Sequence, residues 1–290
     1  MFSPILLGQV FVNGVSLSAI YILVALGFTL LFGIMRVVNF AHGSFAMLGG
    51  YALYYMYGEW EIPYLLAAPL AAATVAVVSL IFERFVFRLF YQKMFQSMIA
   101  LLGLDMAIMF TALIIWDPYD RSVPTPLGGV LQFGGLIIPE DKLAITAVAA
   151  VALLAFWAFT RFTRHGLALR AAAQDLEIAE AQGVNTTALY RLAFVIAIFM
   201  AALAGGFYAQ TYSLSPMMGE RPLLMAFIVV ILGGMGSIPG VALGGLLLGF
   251  SESVLATFYG SATATFASFG VVFLLLIFRP WGLLGTPEND

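Results

Sequence analysis

The residues able to do chemistry in this chain are few, and several fall inside apolar runs. Asp105 interrupts the stretch from Met94 to Trp116, Glu252 follows a glycine-rich segment, and Asn13, Asn39 and His42 lie within or between uncharged runs. An ionisable group at bilayer depth costs about 2.5 to 3.5 kcal/mol on insertion scales, so each needs a partner or a task. Asp105 is either a proton or cation site or a structural partner for a hydroxyl or amide such as Asn13, Thr29 or Ser16. Glu252 carries the same two readings, and a third in which it sits near a helix end. Asn39 and His42 either line a solute path or cap a broken helix whose N-terminus faces a solute carboxylate, or else Asn39 merely caps the second span and His42 bonds a neighbouring carbonyl, while Gly43, Gly49 and Gly50 allow close helix approach.

Catalysis and metal binding fail on inventory, so no catalytic residue and no metal ligand is assigned. His42 and His165 lie on different segments, no HExxH helix exists, no serine sits in GxSxG, and there is no cysteine. No GxxxxGK[ST] loop is present to cradle phosphates, so any ATP chemistry must be borrowed.

Composition explains where these groups must sit. Of 290 residues 62% are hydrophobic and 9% charged, with 12 Lys+Arg and 15 Asp+Glu. A soluble domain carries roughly 25% charged residues, so a soluble enzyme is excluded. A nucleic-acid binder is excluded too, for want of a basic patch. The formal net charge of -3 says little, because in a membrane protein placement matters more than the sum.

Crossing a bilayer takes about 20 apolar residues, and a helix satisfies its own backbone. Stretches of that kind run Met1 to Met35, Val37 to Gly58, Ile62 to Phe82, Met94 to Trp116, Leu143 to Thr160, Leu192 to Gly219, Pro222 to Ser251 and Ser253 to Phe278. The first has no basic lead and is too long for a signal peptide, so it is expected to remain as a helix. Gly233, Gly234, Gly236, Pro239 and Gly240 break the run from Pro222 into two pieces around a tight turn. The expected fold is therefore all-α: one polytopic membrane domain over 1–290 with eight to nine transmembrane helices, one broken, plus a short cytoplasmic helix. A glycine-rich segment in each half, His42 to Gly50 and Gly233 to Gly249, hints at a duplicated architecture.

Orientation follows the basic residues in short loops. Arg36, Arg84, Arg88, Lys93, Arg161, Arg164, Arg170, Arg191 and Arg279 fall on one side if spans alternate, against Arg121, Lys142 and Arg221 on the other. The first group is expected in the cytoplasm, with the N-terminus outside and the C-terminus inside, which needs nine crossings. The external segment 117–142 is rich in Pro and Gly and predicts a compact periplasmic loop with a hairpin through Val130 to Phe133 and Leu136 to Ile138. Gly205-Gly206 and Gly244-Gly245 are expected to let helices pack closely. Trp60, Trp116 and Trp281 lie close to predicted span ends.

The cytoplasmic segment 161–191 reads as two short helices. Leu167 to Gln174 is helix-friendly, Asp175 caps the next turn, Glu177 lies in that first turn, Gly183 sits where a left-handed residue is wanted, and Asn185 caps the next span. It is either a solvated connector or an amphipathic knob that docks on a partner, since Leu176, Ile178, Ala179 and Ala181 are apolar residues outside the bilayer.

Four motifs in order carry a resemblance. They are Asn13-Gly14 with Tyr21, Ala25, Gly27, Gly33 and Arg36 to Gly43; Arg170 to Gln174 with Asp175, Ala179 and Gly183-Val184-Asn185; Gly233 to Gly240; and Arg279-Pro280-Trp281-Gly282-Leu283. Together the chain resembles the branched-chain amino-acid permease family of ABC importers. Asp105 departs from it, standing where the family pattern usually has a small polar residue.

The resemblance implies a multi-pass permease of the bacterial inner membrane, with no cofactor of its own and ATP bound on partners. Implied partners are a second permease chain (a homologue or a second copy), two ABC ATPase subunits and a periplasmic substrate-binding protein. It implies that Arg170, Gln174, Asp175, Glu177, Ala179, Glu180 and Gly183 lie in the coupling loop, and it marks Asn39, His42, Gly43, Gly233, Gly234 and Gly236 for the substrate pathway. Branched-chain and other neutral amino acids, urea and short amides remain open as substrates. The rival reading is an ion-coupled secondary transporter using Asp105 or Glu252.

Overall fold

The computed structural model describes residues 3–91, 93–125, 129–133, 136–279 and 281–285. Pro280 of the terminal motif, and Pro126, Gly128, Gly134 and Gly135 of the long loop, lie outside the described residues. In chain order the elements are α1 (Pro4–Met35), α2 (His42–Leu53) with a π-helical extension over Tyr54–Glu59, α3 (Tyr64–Phe85) and α4 (Met94–Trp116). A hairpin of β1 (Val130–Phe133) and β2 (Leu136–Pro139) follows, then α5 (Glu140–Phe162), α6 (Arg164–Gln174) and α7 (Leu176–Ala181). The second half holds α8 (Thr186–Thr211), α9 (Glu220–Gly233), α10 (Ile238–Tyr259) and α11 (Ser261–Phe278). The hairpin forms where the turn-rich loop predicts it, in register Val130↔Pro139 to Phe133↔Leu136.

Among the described residues, α1, α3, α4, α5, α8 and α10 are the helices long and apolar enough to cross a membrane. α1 and α8 are largely buried, whereas α4 and α5 leave most of their apolar surface outward. A helix apolar on all sides belongs either at the centre of a bundle or against lipid, and this bundle uses both positions.

The second apolar stretch departs from the expected continuous span from Val37. α1 stops where Arg36 takes φ 50°, and the chain returns through 36–41 without regular structure. α2 begins beside the middle of α1, with His42 Nε2 3.0 Å from the Val24 carbonyl oxygen. That point lies roughly 16 Å from the Met35 end of α1 at 1.5 Å per residue. Irregular backbone at such depth survives only against protein, and Val37, Asn39 and Ala41 are indeed buried.

α8 and α9 repeat the device in the opposite sense. α8 ends at Thr211, the segment 212–219 turns back, and α9 starts at Glu220 against the start of α2. A Cβ on Gly43 would collide with the Gly219 carbonyl, and one on Gly219 with the Gly43 carbonyl, so the two half-helices begin nose to nose. The packing is exchanged between halves: α1 lies on α10 as α8 lies on α3, and α2 lies on α8 as α9 lies on α1. This exchange is the packing that the hinted duplication would give, with α9 as the partner of α2. The segment Gly233 to Gly249 instead forms the turn and the start of α10, whose counterpart is α3.

Glycines set these distances. Gly205 lies on the Ala46 carbonyl, Gly49 on Ala202, Gly244 within reach of Val229 and Gly245 on Ile22, leaving no room for a Cβ. Gly205→Val is expected to abolish the monodisperse peak of a fluorescent fusion in size-exclusion chromatography, because backbone yields far less readily than a side chain. Gly103→Val, at a position with nothing within 4 Å, is expected to leave that peak intact.

Candidate functional site

The knob between α5 and α8 is built by local capping. Thr163 Oγ1 accepts the Gly166 N–H at 2.9 Å to open α6, and Leu169 and Ala172 turn inward. Asp175 Oδ1 accepts the Ile178 N–H at 3.0 Å to open α7, with Glu177 in the first turn, where negative charge suits the helix dipole. Gly183 at φ +85° closes it: its N–H donates to the Glu180 carbonyl at 2.9 Å and the Val184 N–H to the Ala179 carbonyl at 3.1 Å. Asn185 Oδ1 then accepts the Ala188 N–H at 3.0 Å to start α8. The caps at Asp175, Gly183 and Asn185 form at the positions the sequence predicts, whereas Thr163 opens α6 three residues ahead of the expected start at Leu167.

Arg170, Gln174, Asp175, Glu177, Glu180 and Gly183 all face solvent, alongside the apolar Leu167 and Ile178. Ala179 does not join them, since it is only 4% exposed and packs inward, so its role is to seat α7 on the bundle.

A buried acid unremarked in the sequence sits at the root of this knob. Glu83, near the end of α3, accepts the Tyr91 hydroxyl, and Arg191 Nε lies 3.6 Å from its other oxygen. Burial and the Glu83 carboxylate push the Tyr91 phenol well above its ordinary range, so it remains a donor at physiological pH. Through Arg191 the start of α8 is tied to α3.

Asp105 and Glu252 occupy different settings. Asp105, half-buried on α4, accepts the Ser44 hydroxyl at 2.5 Å from the first turn of α2. Its partner is a hydroxyl, though not Asn13, Thr29 or Ser16. Asn13 instead accepts from Lys142 Nζ of α5, while Ser16 and Thr29 are buried with no hydrogen-bond partner among the described residues.

Glu252 lies well inside α10, not near its end. It accepts the Tyr21 hydroxyl at 2.5 Å and pairs with Arg221 at 2.7 Å. Arg221 is thereby corrected: it stands in the first turn of half-helix α9, with Tyr212 under its guanidinium at 5.0 Å, and not in an external loop. The signal for the pair was a lone acid in one apolar run and a lone arginine at the edge of another, with no local spacing to join them.

The residues marked for the substrate pathway separate into two groups. Asn39, His42 and Gly43 gather where α2 starts, and none caps it by a side chain, the N-cap being Ala41. Asn39 is 1% exposed with neither amide atom bonded among the described residues, and His42 Nδ1 is likewise unpartnered among them. Gly233, Gly234 and Gly236 lie at the far end of α9, in the turn to α10. There the Leu283 and Leu284 N–H groups donate to the Leu232 and Gly233 carbonyls, and Gly282 and Gly285 press on Gly234. The glycine-rich and terminal motifs thus form one backbone-packed unit, with Gly33 of α1 against Gly236.

With this geometry in place, comparison with known proteins is specific. Residues 10–278 match the family model described as branched-chain amino acid transport system / permease component. The chain is 32% identical to the high-affinity branched-chain amino acid transport system permease protein BraD of Pseudomonas aeruginosa, covering 97% of each chain. It is 32% identical to LivH of Escherichia coli K12, over 96% of this chain and 95% of that one. It is also 25% identical to a probable LivH of Methanocaldococcus jannaschii, over 93% and 90%. No solved structure matches it. The chain belongs to the family of membrane permease components of branched-chain amino-acid ABC transport systems.

Proposed function

We propose that this permease forms the membrane pathway of an ATP-driven importer for branched-chain or related neutral amino acids. It pairs with a second permease chain, takes solute from a periplasmic binding protein and is driven by two ATPase subunits on the cytoplasmic side. The observation that supports this reading is the capped, exposed knob of α6 and α7, which lies where the resemblance expects a coupling loop and leaves Arg170, Gln174, Asp175, Glu177 and Glu180 exposed.

In this reading nine crossings alternate, each half-helix and its irregular return counting as one. The N-terminus and the hairpin face the periplasm, while the knob and the C-terminal motif face the cytoplasm. ATP-driven closure of the ATPases moves the knob, the Glu83–Arg191 contact passes that motion to α3 and α8, and solute passes between the two permease chains.

Uptake of labelled L-leucine into cells expressing the chain with its neighbouring genes tests this. Uptake is expected to require a functional ATPase, and uptake that survives an inactive ATPase and follows an ion gradient would contradict the proposal. Asp105→Asn is expected to keep uptake within about twofold of wild type, because an amide oxygen accepts the same Ser44 bond. Abolition would instead mark Asp105 as the ion site of a secondary transporter.

A further inference from the structure

We propose that the cavity between α1, α5, α8 and α10 at the hairpin end of the bundle binds a single oxyanion group: a solute carboxylate or a phosphate. The cavity holds about 300 Å³ and is lined by Asn13, Ser16, Lys142, Tyr212, Ser253 and Thr257, among others.

The donor inventory fixes its preference. Ser253 spends its proton on the Val10 carbonyl at 2.7 Å and Thr257 on the Ser253 carbonyl at 2.8 Å, so they have no proton left to donate. Lys142 gives one proton to Asn13 Oδ1 and has no carboxylate within ion-pair distance among the described residues, which leaves two. That contact turns the Asn13 amide so that its NH₂ remains to donate. Ser16, only 3% exposed, has a hydroxyl with no partner among the described residues.

A cation, an amide NH₂ and a buried hydroxyl in the lining suit an oxyanion carried by a small molecule. The apolar side chains of Leu17 and Ala256 complete the lining. Next to the cavity, Tyr212 lies under Arg221 and Ser253 follows Glu252, so an occupant would rest beside the ion pair that holds half-helix α9. The choice of an amino acid as probe rests on the importer reading, whereas the oxyanion chemistry does not.

The test uses the full chain purified in dodecyl maltoside, which carries no oxyanion. Thermal midpoints are followed with rising L-leucine or L-leucinamide, and retention of phosphatidylglycerol is followed by native mass spectrometry. A leucine-dependent rise in midpoint, weaker with leucinamide and shifted to about tenfold higher concentration by Lys142→Met, assigns the site to the solute carboxylate. Phosphatidylglycerol retained by wild type and lost in Lys142→Met assigns it to a lipid phosphate. Should Lys142→Met fail to fold, Ser16→Ala is expected to weaken whichever ligand binds, and Lys142→Arg to keep it.

No binding to wild type, or binding indifferent to both Lys142 and Ser16, overturns the proposal. ATP-driven uptake with no such binding would remove the site and leave the importer. Lys142-dependent binding without ATP-driven uptake would do the reverse.

Discussion

Gly183→Val is expected to leave the protein inserted and purifiable while uncoupling ATP hydrolysis from transport. Gly183 sits at φ +85° with nothing among the described residues within 4 Å of a Cβ, so the cost of a side chain there is conformational and not a clash. An L-residue in that region costs about 1 to 2 kcal/mol, and a β-branched one is a true outlier. That is roughly a 5- to 30-fold loss in the population of the capped knob. α7 has six residues, so the loss falls directly on its exposed face, which the proposal reads as the docking surface. Gly183→Asn separates this cause from others, because asparagine tolerates the left-handed conformation and is expected to restore most of the uptake. The measurement is the ratio of leucine taken up to ATP hydrolysed, and normal uptake by Gly183→Val would refute the docking role.

Arg221→Met is expected to give the largest loss of stability among single polar substitutions in the spans. It strands the Glu252 carboxylate, whose side chain is 4% exposed, with only the Tyr21 hydroxyl as partner among the described residues. Breaking a buried pair from one side typically costs about 3 to 5 kcal/mol, whereas replacing both partners by apolar groups is often neutral. Glu252→Leu is expected to cost less, because the Arg221 side chain is 33% exposed and keeps the Tyr212 ring and the Thr265 hydroxyl as partners. The double variant Arg221→Met with Glu252→Leu is expected to recover most of the thermal midpoint. A double variant no better than Arg221→Met alone would show that the pair does not act as a unit.

The sequence made the local features legible and left the long-range ones hidden. Helix caps depend on residues three or four apart, so Asp175, Gly183 and Asn185 could be read from spacing alone. The break at Gly233 to Gly240 and the hairpin after Gly129 were legible for the same reason, since glycine and proline act on the backbone next to them. The half-helices were not, beyond the alternative of a broken helix at Asn39 and His42, because hydropathy counts apolar residues along the chain and is blind to a chain that turns back at bilayer depth. Leu192 to Gly219 accordingly read as one uncharged run, although α8 stops at Thr211 and Gly219 lies against Gly43. Arg221 was misplaced by the same blindness, because a basic residue between two apolar runs looks like a loop residue until tertiary packing brings Glu252 to it. Glu83 and Arg191 belong to separate runs, and only the packing of α3 on α8 joins them.

Reconstitution tests the importer most directly. The chain and the proposed second permease and ATPases are purified together, placed in proteoliposomes with the proposed binding protein outside, and supplied with ATP inside. Labelled leucine is expected to accumulate with ATP and not with a non-hydrolysable analogue, and Gly183→Val is expected to abolish accumulation while hydrolysis continues. Accumulation by the permease chain alone, driven by a proton or sodium gradient and lost in Asp105→Asn, would contradict it.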